Sequence, residues 1–321
     1  MSQSQSQSQS QSSPPPASDN PPAAGTSPAV EWVDESLMSG TPPWLASAEP
    51  AAALTLRWSG LTHPGKVRPN NEDAFLALNF NGGGVQFLGK VGSAPLSDAD
   101  FVFAVSDGMG GAKSGEFASR IAVDKITHLL PRSFRRAALG MSVNYQDVLP
   151  ELVTSIHRDL TLLAESYEEC AGMGATLTMA WFAPGWMYFA HIGDSRLYYL
   201  PAGGALRQIS EDNSHVGWLR RQGKINEREA RTHPRKNVLN KALGAGHQFV
   251  DPQVGAVSCQ PGDIFLLVTD GIIDGLWDRH LEEFLRTPDA VITPAQQMIN
   301  EALSRSGRDN LTAVVVEVLP G

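Results

Sequence analysis

The chain has 321 residues, 42% of them hydrophobic, and a formal net charge of −9, which allows one large domain or two small ones. The acidic balance, with no basic run, excludes the electrostatic footprint of a nucleic-acid binder or of a protein held on an anionic membrane. Cys170 and Cys259 are the only cysteines, and two unspaced thiols support neither a disulfide framework nor a thiolate zinc site. No apolar stretch reaches membrane-spanning length and the N-terminus lacks the basic and apolar regions of a signal peptide, so the expected address is the cytoplasm.

Residues 1–50 are a regime of their own. Ser and Gln alternate from Ser2 to Ser12, Pro14-Pro15-Pro16 follows, and Pro, Ala and Ser dominate afterwards, so this extension is expected to be disordered. Trp32 and Trp44 are apolar islands within it, free to dock on the folded part or on a partner.

From Leu54 onward the pattern is that of a folded domain. Leu54 to Ser59 alternates like a first strand, Phe75 to Asn79 is a second, and Gly82-Gly83-Gly84 breaks it. After the apolar run Phe101 to Ser106, a helical pattern opens at Gly115 with Ala118, Ile121, Ala122, Ile126 and Leu129 on one face. Val148 to Tyr167 repeats that period. Strands follow at Thr176–Phe182, Trp186–His191, Leu197–Leu200 and Leu206–Ile209, joined by Pro184-Gly185 and Gly203-Gly204 turns, which is antiparallel hairpin chemistry. Ser214 to His247 is polar and basic and reads as a lid or flap interrupting the sandwich. Asp263–Thr269, a helix near Ala295–Ser304 and Leu311–Val318 complete the chain. The reading is an extension over 1–50 and one α+β layered domain over 51–321, with a flap insertion at about 212–247.

Chemistry collects where strands end. Phe101–Ser106 runs into Asp107-Gly108, Ile264–Thr269 into Asp270-Gly271, and Tyr188–Gly193 into Asp194. One Asp-Gly step is a tight turn. Three carboxylates at the lips of three buried strands would repel one another unless a cation neutralises them, which makes a metal site the better reading. Arg68 stands just before the adjacent Glu72 and Asp73, and its planar fork suits a phosphate. Asp309-Asn310 adds another carboxylate before the closing strand. Gly111-Ala112-Lys113-Ser114 lacks the Gly directly before Lys that a phosphate-binding P-loop needs, so no nucleotide is expected there. Hard oxygen donors without a His or Cys cluster select Mg2+ or Mn2+ over zinc. The chain has no Cys-X5-Arg arrangement, which excludes a phosphocysteine route.

Taken in order, Arg68 with Asn71-Glu72-Asp73, Asp107-Gly108-Met109-Gly110-Gly111, Gly174-Ala175-Thr176-Leu177, Gly193-Asp194-Ser195-Arg196, Thr269-Asp270-Gly271 and Asp309-Asn310 resemble the bacterial metal-dependent serine/threonine protein phosphatases, the type 2C or PPM family. The resemblance covers about Leu54 to Val318. It implies a four-layer αββα sandwich, two antiparallel sheets face to face with helix pairs outside. It further implies that Asp107 bridges two divalent ions, that the Gly108 carbonyl ligates one, and that Asp270 and Asp309 ligate the other. Glu72 and Asp73 would reach metal through water, Arg68 would clamp the substrate phosphate, and Asp194 with Asp270 would hold a weaker third ion. Thr176 and Arg196 would be structural supports. The implied cofactors are Mg2+ or Mn2+, and the implied partners are phosphorylated proteins, substrates of a cognate serine/threonine kinase, met by a monomer.

Two positions depart from the pattern. Met109 stands where animal members often have His, so no side chain is assigned as general acid, and Asn213 stands where His is usual at the start of the flap. The flap carries Arg220, Arg221, Lys224, Arg228, Arg231, Arg235, Lys236 and Lys241. It is read either as a solvated basic face or as the surface that meets an acidic phosphoprotein. Two competing functions share the motifs: a non-catalytic phosphatase-like module, expected to lose ligand carboxylates, and a hydrolase acting on a phosphorylated anti-sigma-factor antagonist.

Overall fold

The computed structural model describes residues 53–81, 83–138, 145–247 and 249–321, so the extension over 1–50 lies outside the described residues. The first strands are β1 (Leu54–His63), β2 (Asp73–Asn81), β3 (Gly84–Phe87), β4 (Val91–Pro95) and β5 (Asp100–Met109). Helices α1 (Ala112–Ala138) and α2 (Tyr145–Ser166) follow. Then come β6 (Gly174–Ala175), β7 (Leu177–Ala183), β8 (Trp186–Ile192), β9 (Arg196–Leu200) and β10 (Arg207–Gln208). The flap holds α3 (His215–Arg221) and α4 (Glu227–Thr232), and is followed by β11 (Leu243–Gly244), β12 (Gln253–Ser258) and β13 (Ile264–Val268). The chain closes with α5 (Asp270–Gly275), α6 (Asp278–Arg286), α7 (Pro294–Arg305) and β14 (Leu311–Pro320).

These strands form two antiparallel sheets. One runs β10-β9-β13-β14-β1-β4. The other runs β3-β2-β5-β7-β8-β12, with the short β6 and β11 continuing beside the end of β5. The long apolar runs have a physical reason. Along β7, Leu177, Met179, Trp181 and Ala183 face α1 and α2, while Ala180 and Phe182 face the other sheet. In β13, Phe265 and Leu267 enter the space between the sheets, whereas Leu266 and Val268 pack against α5, α6 and α7. A strand covered on both faces has no polar face to show, and its sequence stops alternating. Three apolar layers thus separate four layers of structure, the αββα sandwich.

The sequence reading missed some elements. Asp270-Gly271 opens helix α5, which was not anticipated, and neither were α6 and β12. Only Leu281 and Leu285 of α6 are buried, one i,i+4 pair, and Gly255 interrupts β12, so neither leaves a strong periodic trace.

Candidate metal centre

Strand register brings the carboxylates to one end of the sandwich. Asp73 opens β2 directly opposite Asp107 near the end of β5. In the facing sheet, His63 and Val268 lie near the start of β14, placing the Arg68 loop, Asp270 and Asp309 at one edge. Asp73 joins the two sheets: its Oδ2 accepts from the hydroxyls of Thr269 and Thr312, each at 2.7 Å. Its Oδ1 is buried with no partner. Burial, opposed by those two hydroxyls, pushes the Asp73 carboxyl up to about 7.

Asp107 and Asp270 are also pushed well above the usual carboxylate range. Burial is the main cause for both, followed by Asp73, Asp270 and Asp194 acting on Asp107, and by Asp194, Asp309 and Asp274 acting on Asp270. Asp194 is raised to about 7 by burial and by Asp212, against the pull of Arg196. Glu72 is raised by burial, partly offset by Arg68. Like charges held this close in a protein cleft are a standing electrostatic debt that a cation removes.

The backbone packs closely beside these carboxylates. Gly108 lies in extended strand, and a Cβ there would stand 1.9 Å from the Gly115 carbonyl oxygen. A Cβ on Gly115 would stand 2.5 Å from Glu72 Oε2. Both glycines are therefore required for the first turn of α1, β5 and Glu72 to approach one another. A hydroxyl network holds Asp107 and the Asp194 turn together. The Asp107 N–H donates to Thr176 Oγ1 at 2.9 Å, Thr176 Oγ1 and Ser195 Oγ are 2.8 Å apart, and Ser106 donates to the Thr176 carbonyl at 2.6 Å.

Arg68 and Asp309 meet at the rim, with Nη2 to Oδ2 at 2.8 Å. Asn310, beside them, is a bracing residue whose role sequence reasoning missed. Its Oδ1 accepts the Glu72 N–H at 2.7 Å, and its Nδ2 donates to the carbonyls of Pro64 and Asn70, each at 2.9 Å. The only sequence signal was its place beside Asp309. Arg196 makes a buried bidentate pair with Asp212, Nη2 to Oδ2 at 2.7 Å and Nε to Oδ1 at 3.0 Å. Asn213 fastens the flap to the Asp194 turn: its N–H donates to the Gly193 carbonyl at 2.6 Å and its Oδ1 accepts the Gly193 N–H at 3.0 Å.

The flap cations are largely engaged within the chain. Arg221 reaches Glu211 and the Asp212 carbonyl, Lys224 lies over Trp218, Lys241 pairs with Asp251, and Arg220, Arg231 and Lys236 reach the segment after Asp270. A cavity of about 60 Å³ lies between the flap and the carboxylate end, and its lining includes Asp194, Asp270, Asp274, Arg220, Arg231 and Lys236.

Among the described residues no three His, Cys, Asp or Glu side chains already converge as a closed metal-binding group. Glu72, Asp107, Asp194, Asp270 and Asp309 are each part-exposed at this end of the sandwich, and a hard ion that keeps several waters needs only a few carboxylates. An all-oxygen donor set, carboxylates that raise one another, an orphaned Asp73 Oδ1 and the Gly108–Gly115 approach together fit a hard divalent cation.

The family model for protein phosphatase 2C matches residues 90–313. The serine/threonine phosphatase stp of Listeria innocua is 35% identical over 258 residues, which are 80% of this chain and 93% of that protein. The crystal structure of the Mycobacterium tuberculosis serine/threonine phosphatase PstP/Ppp superposes with a TM-score of 0.66 at 31% identity, over 83% of this chain and all 100% of the other. The catalytic domain of PstP in complex with two manganese ions superposes with a TM-score of 0.65 at 30% identity, over 83% of this chain and 99% of the other. With the sandwich, the carboxylate end and most of the sequence matched together, the chain belongs to the protein phosphatase 2C family.

Proposed function

We propose that this protein removes phosphate from phosphoserine and phosphothreonine of proteins in a metal-dependent hydrolysis. The observation that carries the reading is the set of mutually repelling carboxylates, Asp73, Asp107, Asp194 and Asp270, at one end of a protein phosphatase 2C sandwich. When bound, two divalent ions lower the pKa of water and neutralise charge on the phosphoryl group in an in-line displacement. Asp107, the Gly108 carbonyl, Asp270 and Asp309 would hold the two ions, with Glu72 and Asp73 acting through water. Asp194 with Asp270 would hold a weaker third ion. The ions would be Mg2+ or Mn2+.

Arg68 binds and orients the substrate phosphate in this reading. One N–H is given to Asp309, and the half-exposed guanidinium keeps further donors for phosphate oxygens at the cleft mouth. Thr269 and Thr312 donate to Asp73 Oδ2, which leaves Oδ1 as the acceptor that would serve a water on the ion. No helix of the described residues is long and apolar enough to cross a membrane, and the proposed setting is the cytoplasm, as a monomer opposed to a cognate serine/threonine kinase. The non-catalytic reading expects a lost ligand, yet Asp107, Asp194, Asp270 and Asp309 are all present.

The decisive experiment is hydrolysis of a phosphothreonine peptide by the full chain with Mn2+, with Mg2+ and with chelator. Turnover should vanish with chelator, and Asp107→Ala and Asp270→Ala should each lower kcat by more than about two orders of magnitude while the fold persists. Full turnover by either variant at saturating metal would overturn the assignment.

A further inference from the structure

The flap is attached to the domain in an unusual way. No residue from 214 to 242 belongs to any of the three apolar clusters of the described residues. Its helices are short and locally capped, Ser214 at the start of α3 and an Asn226–Glu229 capping box at the start of α4. What joins it to the α5–α6 segment is a set of cations aimed at one short stretch. Arg231 donates to the Ile273 carbonyl, and to the Leu276 carbonyl at 2.6 Å. Its guanidinium lies 4.3 Å from the Trp277 ring centroid and pairs with Glu227 at 2.9 Å. Lys236 pairs with Asp274 at 2.6 Å, and Arg220 reaches Asp278 at 3.7 Å.

Apart from the Arg231–Glu227 pair, these contacts fall between Ile273 and Asp278, from the C-terminal end of α5 to the start of α6. The other end of α5 is Asp270. With six residues the helix is a strut of about 9 Å, too short to absorb much movement by bending. Its first end is pinned by Thr269, whose hydroxyl donates to Asp73 and accepts the Thr312 N–H at 3.0 Å. Its last carbonyls have no partner within α5 once the helix ends, and the Arg231 fork occupies two such acceptors at a place where cations are favoured.

We infer that Arg231 is a positioning residue: by gripping the C-terminal end of α5 it fixes the Asp270 carboxylate, so docking of the flap and binding of a divalent cation at Asp270 are coupled. The inference rests on the metal reading given above. Coupling of this kind is reciprocal: an ion at Asp270 favours the docked flap to the same degree that the docked flap favours the ion. Lys236–Asp274 and Arg220–Asp278 are secondary fasteners, half-buried and screened by salt.

The test uses the full chain and Mn2+. Arg231→Met keeps the aliphatic stem and removes the donors, and Arg231→Lys restores charge without the fork. Calorimetric titration should show Mn2+ bound about five- to tenfold more weakly by Arg231→Met, with Arg231→Lys intermediate. In turnover of a small phosphate ester, kcat at saturating Mn2+ should fall by less than about twofold while the Mn2+ requirement rises. In the wild type, Mn2+ should slow tryptic cleavage after Arg228 and Arg235 in the flap by more than about threefold relative to cleavage after Lys90, a loop remote from the flap. That arm decides the matter if Arg231→Met does not fold. Equal Mn2+ affinity in wild type and Arg231→Met, or a cleavage ratio unmoved by Mn2+, overturns the coupling. A wild type that binds no Mn2+ at all removes the metal reading itself and the coupling with it.

Discussion

The carboxylate end of the sandwich and the flap sit across one cavity, yet opposite physics hold them. Asp107 and Asp270 follow strands whose side chains are buried on both faces, in layers such as Phe103, Val105, Phe265 and Leu267 between the sheets. The flap has no share in those layers and is fastened by Arg231, Lys236, Lys241 and the Asn213 turn. Repulsive groups need a scaffold that does not yield, and close-packed apolar strands provide it. The flap's contacts are ones that water and salt can replace, so it is held less firmly than the strands. Rigidity here is assigned where charge is concentrated.

This contrast can be broken by mutation. Leu267, fully buried between the sheets, should cost about 2–5 kcal/mol when replaced by Ala, read as a lowered denaturant midpoint at unchanged slope. A loss below about 1 kcal/mol would mean that the scaffold yields after all.

The next effect concerns His191, a sandwich residue that touches the approach to the flap. Its Nε2 faces the Glu211 carbonyl at 3.1 Å, which can only accept, so Nε2 carries the proton and Nδ1 accepts from the Thr178 hydroxyl at 2.8 Å. Burial lowers its pKa to about 4 from the ordinary value of 6.5. A folded pKa below the unfolded one means the neutral ring stabilises the fold above pH 6.5, and that contribution is lost as pH falls towards 4. The stability advantage of wild type over His191→Gln should therefore shrink by about 3 kcal/mol between pH 7 and pH 4. A difference independent of pH would show that the ring is not held neutral.

The smallest effect lies at the flap's margin. Lys241 pairs with Asp251 at 2.8 Å, but the Asp251 side chain is 87% exposed. Lys241→Ala should change stability by less than about 1 kcal/mol, and the change should disappear in 0.5 M salt, a concentration of about that order sufficing to screen exposed pairs. A larger, salt-resistant loss would place this margin with the scaffold instead.

What the sequence made legible follows the same division. Asp107, Asp194 and Asp270 stood out because each ends an apolar run long enough to be buried on both faces, and the layered α+β sandwich followed from those runs. Arg68 stood out beside Glu72-Asp73 and Asp309 as a carboxylate before the closing strand, and the order of motifs strengthened both. The flap's cations were visible as letters, but not what they do. Arg231 binds the carbonyls of Ile273 and Leu276, and a backbone carbonyl has no letter of its own. The bracing by Asn310 was hidden for the same reason, since its Nδ2 serves the carbonyls of Pro64 and Asn70. Helix α5 was not anticipated because Asp-Gly favours turns locally, whereas packing of Ile272 and Ile273 on the outer helix layer decides for a helix.

The pairing of the first and last strands carries one more consequence. β1 and β14 lie side by side in the interior of their sheet, Leu54 opposite Pro320 and His63 opposite Leu311. During synthesis β1 emerges about 250 residues before β14, and the edge it offers to β14 stays open until then. Contacts between residues so distant along the chain form late and slowly. The meeting of Arg68 with Asp309 waits on the same event, because Asp309 is held by the strand that arrives last. An interrupted translation product ending before Leu311 would carry most of the carboxylates and still lack a finished cleft. The contact between Arg68 and Asp309 thus depends on residues 241 positions apart along the chain.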